Sequence, residues 1–240
     1  MVALDWAPCV TEGKHQVMED SRVERRKART RAALVRAALD FVANGNVNAP
    51  VLEITQAADV GNGSFYNYFA SKEELWSAAV DEALESVGAY LDTLTVGLDD
   101  PVEKFTQSFR LSGRLFRMEP QLSRVLLTAE AAVVASERGL APRSRRDIES
   151  ATKQGRFDVE DSELALALVS GTLLSMGRLL LEDSDRDEAS TVDRTTVRVL
   201  RALGIPACEA EELCSKALPQ SYRGALHTVI APASVLPDGT

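Results

Sequence analysis

The residues best suited to bind a charged partner are a run of basic side chains near the start of the chain. Between residues 22 and 36 there are seven basic side chains and one acidic side chain, although the 240-residue chain has a net charge of −9. Such a cluster binds phosphate oxygens, and because salt screens charge beyond roughly 10 Å, the local surplus matters more than the global sign. A solvated helix face would have the same composition, and this alternative stays open.

A second group, at residues 62–69, alternates aromatic side chains with polar ones. Asparagine, serine and tyrosine can hydrogen-bond to base edges or phosphates, and free amides at a helix start also favour a phosphate. This group predicts contact with nucleic acid, if a short helix presents it at a surface.

Catalytic chemistry has little support in the sequence. The two histidines, His15 and His227, lie in the terminal segments, and the chain has no HExxH, GxSxG, P-loop or Rossmann glycine pattern. The cysteines Cys9, Cys208 and Cys214 are odd in number and form no CxxC, so neither a disulfide framework nor a zinc site is expected. We therefore predict no catalytic residue, no cofactor and no metal, and an enzyme is the least favoured class.

Helices must position these groups, because apolar residues recur at helical spacing along the chain. The composition, 45% apolar and 26% charged, is that of a globular protein. The only candidate strand is the short stretch Thr228–Ala231. The predicted fold class is all-α, with about nine to ten helices.

The first predicted helix begins at Ser21, where Ser21-x-x-Glu24 is a capping box, and ends near Gly45. A short helix follows from about Pro50 to Ala58, then a tight turn of four residues and a second short helix through Phe69. This layout is a helix-turn-helix, which can place a short helix in the major groove. Many helical proteins contain the same geometry without binding DNA, so the layout alone leaves both interpretations open.

The remaining helices are expected to start at further capping signals. Ser71-x-x-Glu74 opens a long helix, Asp100-Pro101 opens one that ends near Met118, and Pro120 opens one that ends before Gly139. Later helices are predicted at about 142–155, 162–182, 188–204 and 206–218. The corresponding domains are an arm (1–20), a helix-turn-helix domain (21–70), a helical regulatory and dimerisation domain (71–218) and a poorly packed tail (219–240).

The helix-turn-helix residues resemble the signature of the tetracycline-repressor (TetR) family. The run from Ala58 to Leu75 contains Gly-x-x-Tyr-x-x-Phe-x-Ser-Lys-x-x-Leu at the family's spacing, and Thr30-Arg31 with Ala37-Ala38 and Phe41 is similar to its first helix. The resemblance covers about residues 25–76. Two positions depart from the family pattern: Pro50 stands where a hydroxyl residue is common, and Gly61 stands where serine or asparagine is common.

The resemblance implies a DNA-binding transcriptional regulator, most simply a homodimeric repressor of a palindromic operator that a small ligand releases. The implied fold is an N-terminal three-helix helix-turn-helix domain followed by a larger helical ligand-binding and dimerisation domain. The implied DNA contacts are Arg25, Arg26, Arg29, Arg31, Asn62, Gly63, Ser64, Tyr66, Asn67, Tyr68 and Lys72.

The same resemblance implies a dimer interface formed by the last two long helices. On the first of these helices, an apolar stripe with small residues would form the interface: Leu164, Leu168, Gly171, Leu174 and Ser175. On the next long helix, the partner stripe would be Thr195, Val199 and Leu203. An intramolecular core helix is the alternative for this stripe.

A ligand pocket is expected among bulky side chains with a few methionines, which suit an adaptable cavity for a small apolar or amphipathic ligand. The candidates are Phe105, Phe109, Phe116, Met118, Leu122, Leu126 and Met176. Ordinary core packing would account for any one of them. Arg110, Arg114 and Arg117 recur on one helix, where they would bind a carboxylate or form a solvated face.

No membrane partner is expected, because the longest uncharged apolar stretch, residues 164–177, has only 14 residues and contains hydroxyl side chains. The first residues lack the pattern of a secretory signal, and a cytoplasmic location is therefore expected. A TetR-like protein without a small-molecule inducer, constitutive or controlled by a protein partner, is the main alternative function.

Overall fold

The computed structural model describes residues 12–129 and 137–219, and most of them are helical. There are nine α-helices in this part of the chain and one 3-10 helix, Asn62–Asn67, which confirms the all-α class. The α-helices are α1 (Glu12–Ala43), α2 (Val51–Ala57), α3 (Lys72–Leu94), α4 (Pro101–Met118), α5 (Pro120–Thr128), α6 (Leu140–Lys153), α7 (Ser162–Glu182), α8 (Glu188–Ala202) and α9 (Ala207–Ser215). The possible strand at Thr228–Ala231 lies outside the described residues.

Helix α1 begins at Glu12, nine residues before the start predicted at Ser21. The helical backbone therefore runs through Ser21. A capping box begins a helix only where the preceding residues are not helical, and residues 12–20 contain no proline that would interrupt the helix. At the other end, Gly45 takes a φ of +73° and the amide of Asn46 bonds back to Phe41, which stops the helix.

The helix-turn-helix is formed by α2, a tight turn and the 3-10 helix. Asp59 turns the chain at a φ of 53°, while the Val60 amide donates to the Thr55 carbonyl at 2.9 Å. Neither Pro50 nor Gly61, the residues that cap α2 and the 3-10 helix, provides a side-chain hydrogen bond. The two departures from the family pattern, Pro50 and Gly61, therefore leave both helix starts without a side-chain cap.

Side-chain caps fix the starts of the longer helices. Ser71 Oγ accepts a hydrogen bond from the Glu74 amide at 3.2 Å, Asp100 caps α4, and Asp161 caps α7. Helix α6 begins at Leu140, two residues before the predicted start. Helix α5 ends at Thr128, and the rest of the helix predicted to reach Gly139 lies partly outside the described residues.

Two hydrophobic cores lie in tandem. The first joins α1, α2 and the 3-10 helix to buried residues along the whole of α3, to Leu111 of α4 and to α5. Its largest fully buried side chains include Leu34, Ile54 and Phe65. The second core lies among α4, α6, α7, α8 and α9. Helix α3 therefore connects the helix-turn-helix to the larger helical body.

One described helix, α7, is long and apolar enough to cross a membrane by length and composition alone. A core helix of a globular protein meets the same criterion, and seven of the residues of α7 are buried within this chain, where the helix contacts α4 and α6. Cys208 is exposed and Cys214 is buried, both as free thiols. Cys9 and the side chains of His15 and His227 lie outside the described residues.

Candidate functional site

The 3-10 helix presents its polar side chains outward. Asn62, Gly63, Tyr66 and Asn67 are exposed, and 69% of Tyr66 is open to solvent. Space around Gly63 is open, with no atom within 4 Å of the position that a Cβ would take. Ser64 and Tyr68 are partly buried. The residues predicted to face DNA therefore form one accessible edge of the molecule.

Buried aromatic side chains hold this edge in place. Phe65 and Phe69 are almost fully buried, their ring centroids lie 6.0 Å apart, and the Tyr66 ring meets Phe65 edge-on at 5.1 Å. Arg31 stacks over the Phe69 ring at 4.8 Å. Ile54 of α2 and Phe65 of the 3-10 helix are fully buried, and Val60 in the turn between them is partly buried against the same core, so these side chains pack the two helices together.

Basic side chains flank this edge. Residues 22–29 of α1 are all exposed, and Arg22, Arg25, Arg26 and Arg29 line one shallow depression on the surface of α1. Lys72, at the first turn of α3, lies over the Trp76 ring at 5.7 Å. The Phe69 ring thus places Arg31 near the 3-10 helix, and Lys72 follows that helix at the start of α3. The arginines at 22–29 continue the basic surface along α1.

A cavity of about 100 Å³ opens in the larger helical body among α3, α4, α5, α6 and α7. Its walls are mainly apolar, and five of the predicted pocket residues line it: Phe105, Phe109, Phe116, Leu122 and Leu126. Met118 packs instead against the first core, and Met176 is buried in the second core beside Gly113. Met118 lies off the side of α4 that lines the cavity, whereas Met176 shares a side of α7 with Val169 and lies two turns farther along the helix.

One end of the cavity is polar, and we call it the polar end: Asp92 from α3 with Arg143, Ser144, Arg146 and Asp147 from α6. Arg143 Nε donates to Asp92 Oδ2 at 2.8 Å, and Arg146 donates to Asp92 at 3.2 Å and to Asp147 at 2.9 Å. Ser144 Oγ is buried and has no hydrogen-bond partner among the described residues. A buried hydroxyl without a partner is costly, so a ligand that bonds to it gains affinity there.

Charge and burial act on the acids of this region in opposite directions. Burial raises the pKa of Asp147, since desolvation outweighs the attraction of Arg146. Desolvation also opposes ionisation of Asp92, but hydrogen bonds from Arg143 and Arg146 prevail and lower its pKa. The polar end therefore combines fixed positive charge with carboxylate acceptors, an arrangement that can receive a hydroxyl donor.

The three arginines of α4 lie outside the cavity and bond to other parts of the helical body. Arg110 and Arg114 are buried and bond to Asp193 of α8 at 2.8 and 3.0 Å. Arg117 donates to the Asp183 carbonyl at 2.6 Å. These side chains hold α4 against α8 and the loop before it, so neither a ligand carboxylate nor a solvated face accounts for them.

The predicted dimer residues divide between the surface and the interior. Leu164, Leu168, Gly171 and Ser175 lie exposed along one side of α7, and Leu164 and Leu168 are 69% and 44% exposed. Leu179 extends this stripe, and Thr195 of α8 joins it across a shallow groove. Leu174 faces the cavity, whereas Val199 and Leu203 are buried in the second core and are not available to a partner.

Comparison with known proteins agrees with this architecture. Residues 34–79 match the family model described as "Bacterial regulatory proteins, tetR family", and residues 100–216 match "Tetracyclin repressor-like, C-terminal domain". The solved structure of RolR in complex with resorcinol is 32% identical, with a TM-score of 0.63, over 82% of this chain and 98% of that chain. This chain belongs to the TetR family. It is a transcriptional regulator with a helix-turn-helix DNA-binding domain.

Other relatives support the same assignment. RolR without ligand is 33% identical, with a TM-score of 0.65, over 79% of this chain and 98% of that chain. The transcriptional regulator TcmR of Streptomyces glaucescens is 33% identical over 88 residues, which span 36% of this chain and 38% of TcmR. The fatty acid degradation regulator FadR of Bacillus halodurans shares the fold at 20% identity, with a TM-score of 0.56, over 73% of this chain and 97% of that chain.

Sequence reasoning missed the polar end of the cavity. Asp92 and Arg143 lie 51 positions apart in the chain, and Ser144 carries no motif that would mark it as a cavity residue. The only signal was the basic start of α6, and this did not indicate a partner on α3.

Proposed function

We propose that this TetR-family regulator works in the cytoplasm as a homodimeric repressor of a palindromic operator, and that a small hydroxylated aromatic ligand releases it from DNA. The observation that carries the proposal is the path of α3. This one helix begins at Lys72, beside the exposed 3-10 helix, and its second half forms a wall of the cavity through Leu84, Val87, Leu91 and Asp92.

For DNA, the proposed base contacts come from the exposed 3-10 helix, with Asn67 best placed to pair with a base edge. Lys72 and the arginines of α1 supply phosphate contacts, which position the protein but carry no sequence information. A six-residue helix covers only a few base pairs, so a second copy related by two-fold symmetry is needed for a specific site.

For the dimer, the proposed surface is the apolar stripe of α7 together with the groove against α8. Three leucines, Leu164, Leu168 and Leu179, are more than 40% exposed there. Gly171 and Ser175 between them permit close approach of a second helix. A contiguous exposed apolar surface of this kind is typical of an interaction site.

For the ligand, the proposed chemistry follows from the cavity walls. Cavities of this order, about 150 Å³ in an engineered case, accept a benzene-sized molecule. Phe105, Phe109 and Phe116 suit an aromatic ring, and the polar end offers carboxylate acceptors and the unpartnered Ser144 hydroxyl. The relative RolR binds resorcinol, a small aromatic diol, in its solved complex, which supports the same class of ligand for this chain.

The experiment is a displacement titration on an operator obtained by selection from random duplex DNA. Resorcinol and related mono- and dihydroxybenzenes are the probes, with benzene as the matched apolar control. We expect at least one diol to lower operator affinity, and Ser144→Ala to weaken its binding in calorimetry. If every diol leaves operator affinity unchanged at saturation, the protein is a TetR-family regulator without this class of inducer.

A further inference from the structure

One arginine of α6 makes three hydrogen bonds to the helix that connects the DNA-binding domain to the cavity. Arg143 of α6 donates from both terminal nitrogens to Glu85 of α3, at 2.8 and 3.0 Å, and from Nε to Asp92, at 2.8 Å. Bidentate pairing of this kind fixes geometry as well as charge. Because Glu85 and Asp92 lie seven positions apart, they are on one face of α3.

Gly88 forms the floor of this site. It lies between the two carboxylates in sequence, and a Cβ placed there would meet the guanidinium of Arg143 at 2.7 and 2.8 Å and its Cδ at 2.9 Å. The guanidinium therefore lies directly on the backbone of α3. No larger residue at position 88 leaves room for it in this position.

The same contact point also fixes the start of α6. Glu85 Oε2 accepts a hydrogen bond from the Gly139 amide at 3.0 Å, and Arg143 Nη1 donates to the Gly139 carbonyl at 2.9 Å. Gly139 has a φ of +80° and lies against Leu84, where a Cβ would approach the Leu84 Cβ to 2.6 Å and the Leu84 carbonyl carbon to 2.8 Å. The α3–α6 contact is thus a close fit between backbones and not only an ion pair at the surface.

We propose that Arg143, seated on Gly88 between Glu85 and Asp92, is the positioning residue that holds α3 in the DNA-binding orientation, and that a ligand at the polar end releases it. We call these four residues the Arg143 latch. The inference rests on the proposed function and adds the residues through which the cavity acts on DNA binding.

Competition for Asp92 is the physical basis of release. Asp92 lines the cavity and accepts hydrogen bonds from both Arg143 and Arg146. A ligand hydroxyl that donates to Asp92 or Asp147 takes an acceptor from these arginines and weakens the pairing between α3 and α6. Since a ligand and the intact latch compete, the latched arrangement is the one that predominates without ligand.

A small tilt of α3 would suffice to change DNA binding. The helix extends about 30 Å from Lys72 to Asp92 at 1.5 Å per residue. A rotation of about 5° around its cavity end moves Lys72 and the adjoining 3-10 helix by roughly 3 Å. Two copies must present their helices about 34–36 Å apart, so a shift of this size in each copy disturbs the match to the operator.

The test compares latch variants with matched controls, without ligand, on an operator selected from random duplex DNA. Gly88→Ala displaces the guanidinium while favouring the helix, and Glu85→Gln removes the bidentate acceptor charge. The controls are Ala89→Gly, which weakens the same helix at an exposed position, and Glu82→Gln, whose partner Arg138 is 3.4 Å away at the surface. Operator affinity and urea unfolding are measured for all five proteins, the unmodified chain included.

We expect Gly88→Ala and Glu85→Gln to lower operator affinity roughly 5- to 150-fold, the usual range of coupling between sites. The urea curves should show that Gly88→Ala is still folded under the conditions of the DNA titration, which separates a loss of positioning from a failure to fold. Both controls should bind within about twofold of the unmodified protein. The inference is overturned if Gly88→Ala binds as tightly as the unmodified protein, or if Ala89→Gly loses as much affinity. If the unmodified protein selects no operator, the proposed function itself has failed, which is a different result.

Discussion

At the scale of single residues, Glu85 links the fold to pH. Hydrogen bonds from Arg143, the largest influence, and from the Gly139 amide lower its pKa from 4.5 to about 2. The unfolded chain therefore binds this proton at higher pH than the folded chain does, and stability falls as pH drops from about 4.5 towards 2. We expect Glu85→Gln to flatten the plot of unfolding free energy against pH in this window, measured by urea denaturation.

The control for this pH experiment is Glu82→Gln, which removes a carboxylate from the same helix outside the latch. It should keep the slope of the unmodified protein between pH 4.5 and 2. An equally steep acid loss in Glu85→Gln would contradict the assigned role of the Arg143 contact.

Two residues of the proposed DNA surface should have different effects when removed. Asn67→Ala is expected to cost about 1–3 kcal/mol at one base pair and to relax the preference there, because a base-edge contact carries sequence information. Lys72→Ala should weaken binding to all sequences alike and reduce the salt slope by about 1, as a phosphate contact does. Anisotropy titrations of the operator and its single-base variants, at several salt concentrations, measure both. A change in sequence preference caused by Lys72→Ala would contradict its placement.

How well the sequence predicted individual site residues depended on the range of their interactions. Phe105, Phe109 and Phe116 follow a helical period on a single segment, so their common face was predictable before their position in the cavity was known. The pairing of Asp92 with Arg143 was not, because ion pairs between distant segments leave no local pattern. Val199 and Leu203 were assigned to a dimer surface because an apolar stripe has the same sequence pattern whether it packs within its own chain or against a second copy.

At the scale of helices, the packing of α7 against α4 depends on one glycine. A Cβ on Gly177 would come within 2.2 Å of the Phe116 ring, which lines the cavity. We expect Gly177→Ala to destabilise the fold by about 1–3 kcal/mol through overpacking. Urea denaturation measures this, with Gly97→Ala as control, since no atom lies within 4 Å there. Unchanged stability of Gly177→Ala would show that the helices can separate more easily than this contact implies.

Helix starts were predictable where a cap and a preceding turn coincide, as at Ser71 and Asp100. The start of α1 was not, because the capping pattern at Ser21 is local and the helix continues upstream of it to Glu12. The second helix of the helix-turn-helix was predicted in place, but its 3-10 geometry was not, since side-chain pattern does not separate a short α-helix from a 3-10 turn.

At the scale of the whole molecule, the proposed dimer can be tested through the stripe on α7. We expect Leu168→Glu to raise the dimer dissociation constant strongly, because it places a charge in an apolar surface, and to abolish specific operator binding. Sedimentation velocity at micromolar concentration measures the first effect. Val96→Glu is the control, since Val96 is 82% exposed and lies outside this stripe. A Leu168→Glu protein that remains dimeric would place the interface elsewhere.

The most direct test of the central claim is selection from random duplex DNA with the full chain, followed by titration of the enriched site at two salt concentrations. A dimeric repressor predicts a two-fold symmetric sequence, with half-sites about one helical turn or a multiple of it apart, and affinity that falls steeply with salt. Absence of any enriched sequence, with only weak salt-sensitive binding, would contradict a sequence-specific dimeric regulator.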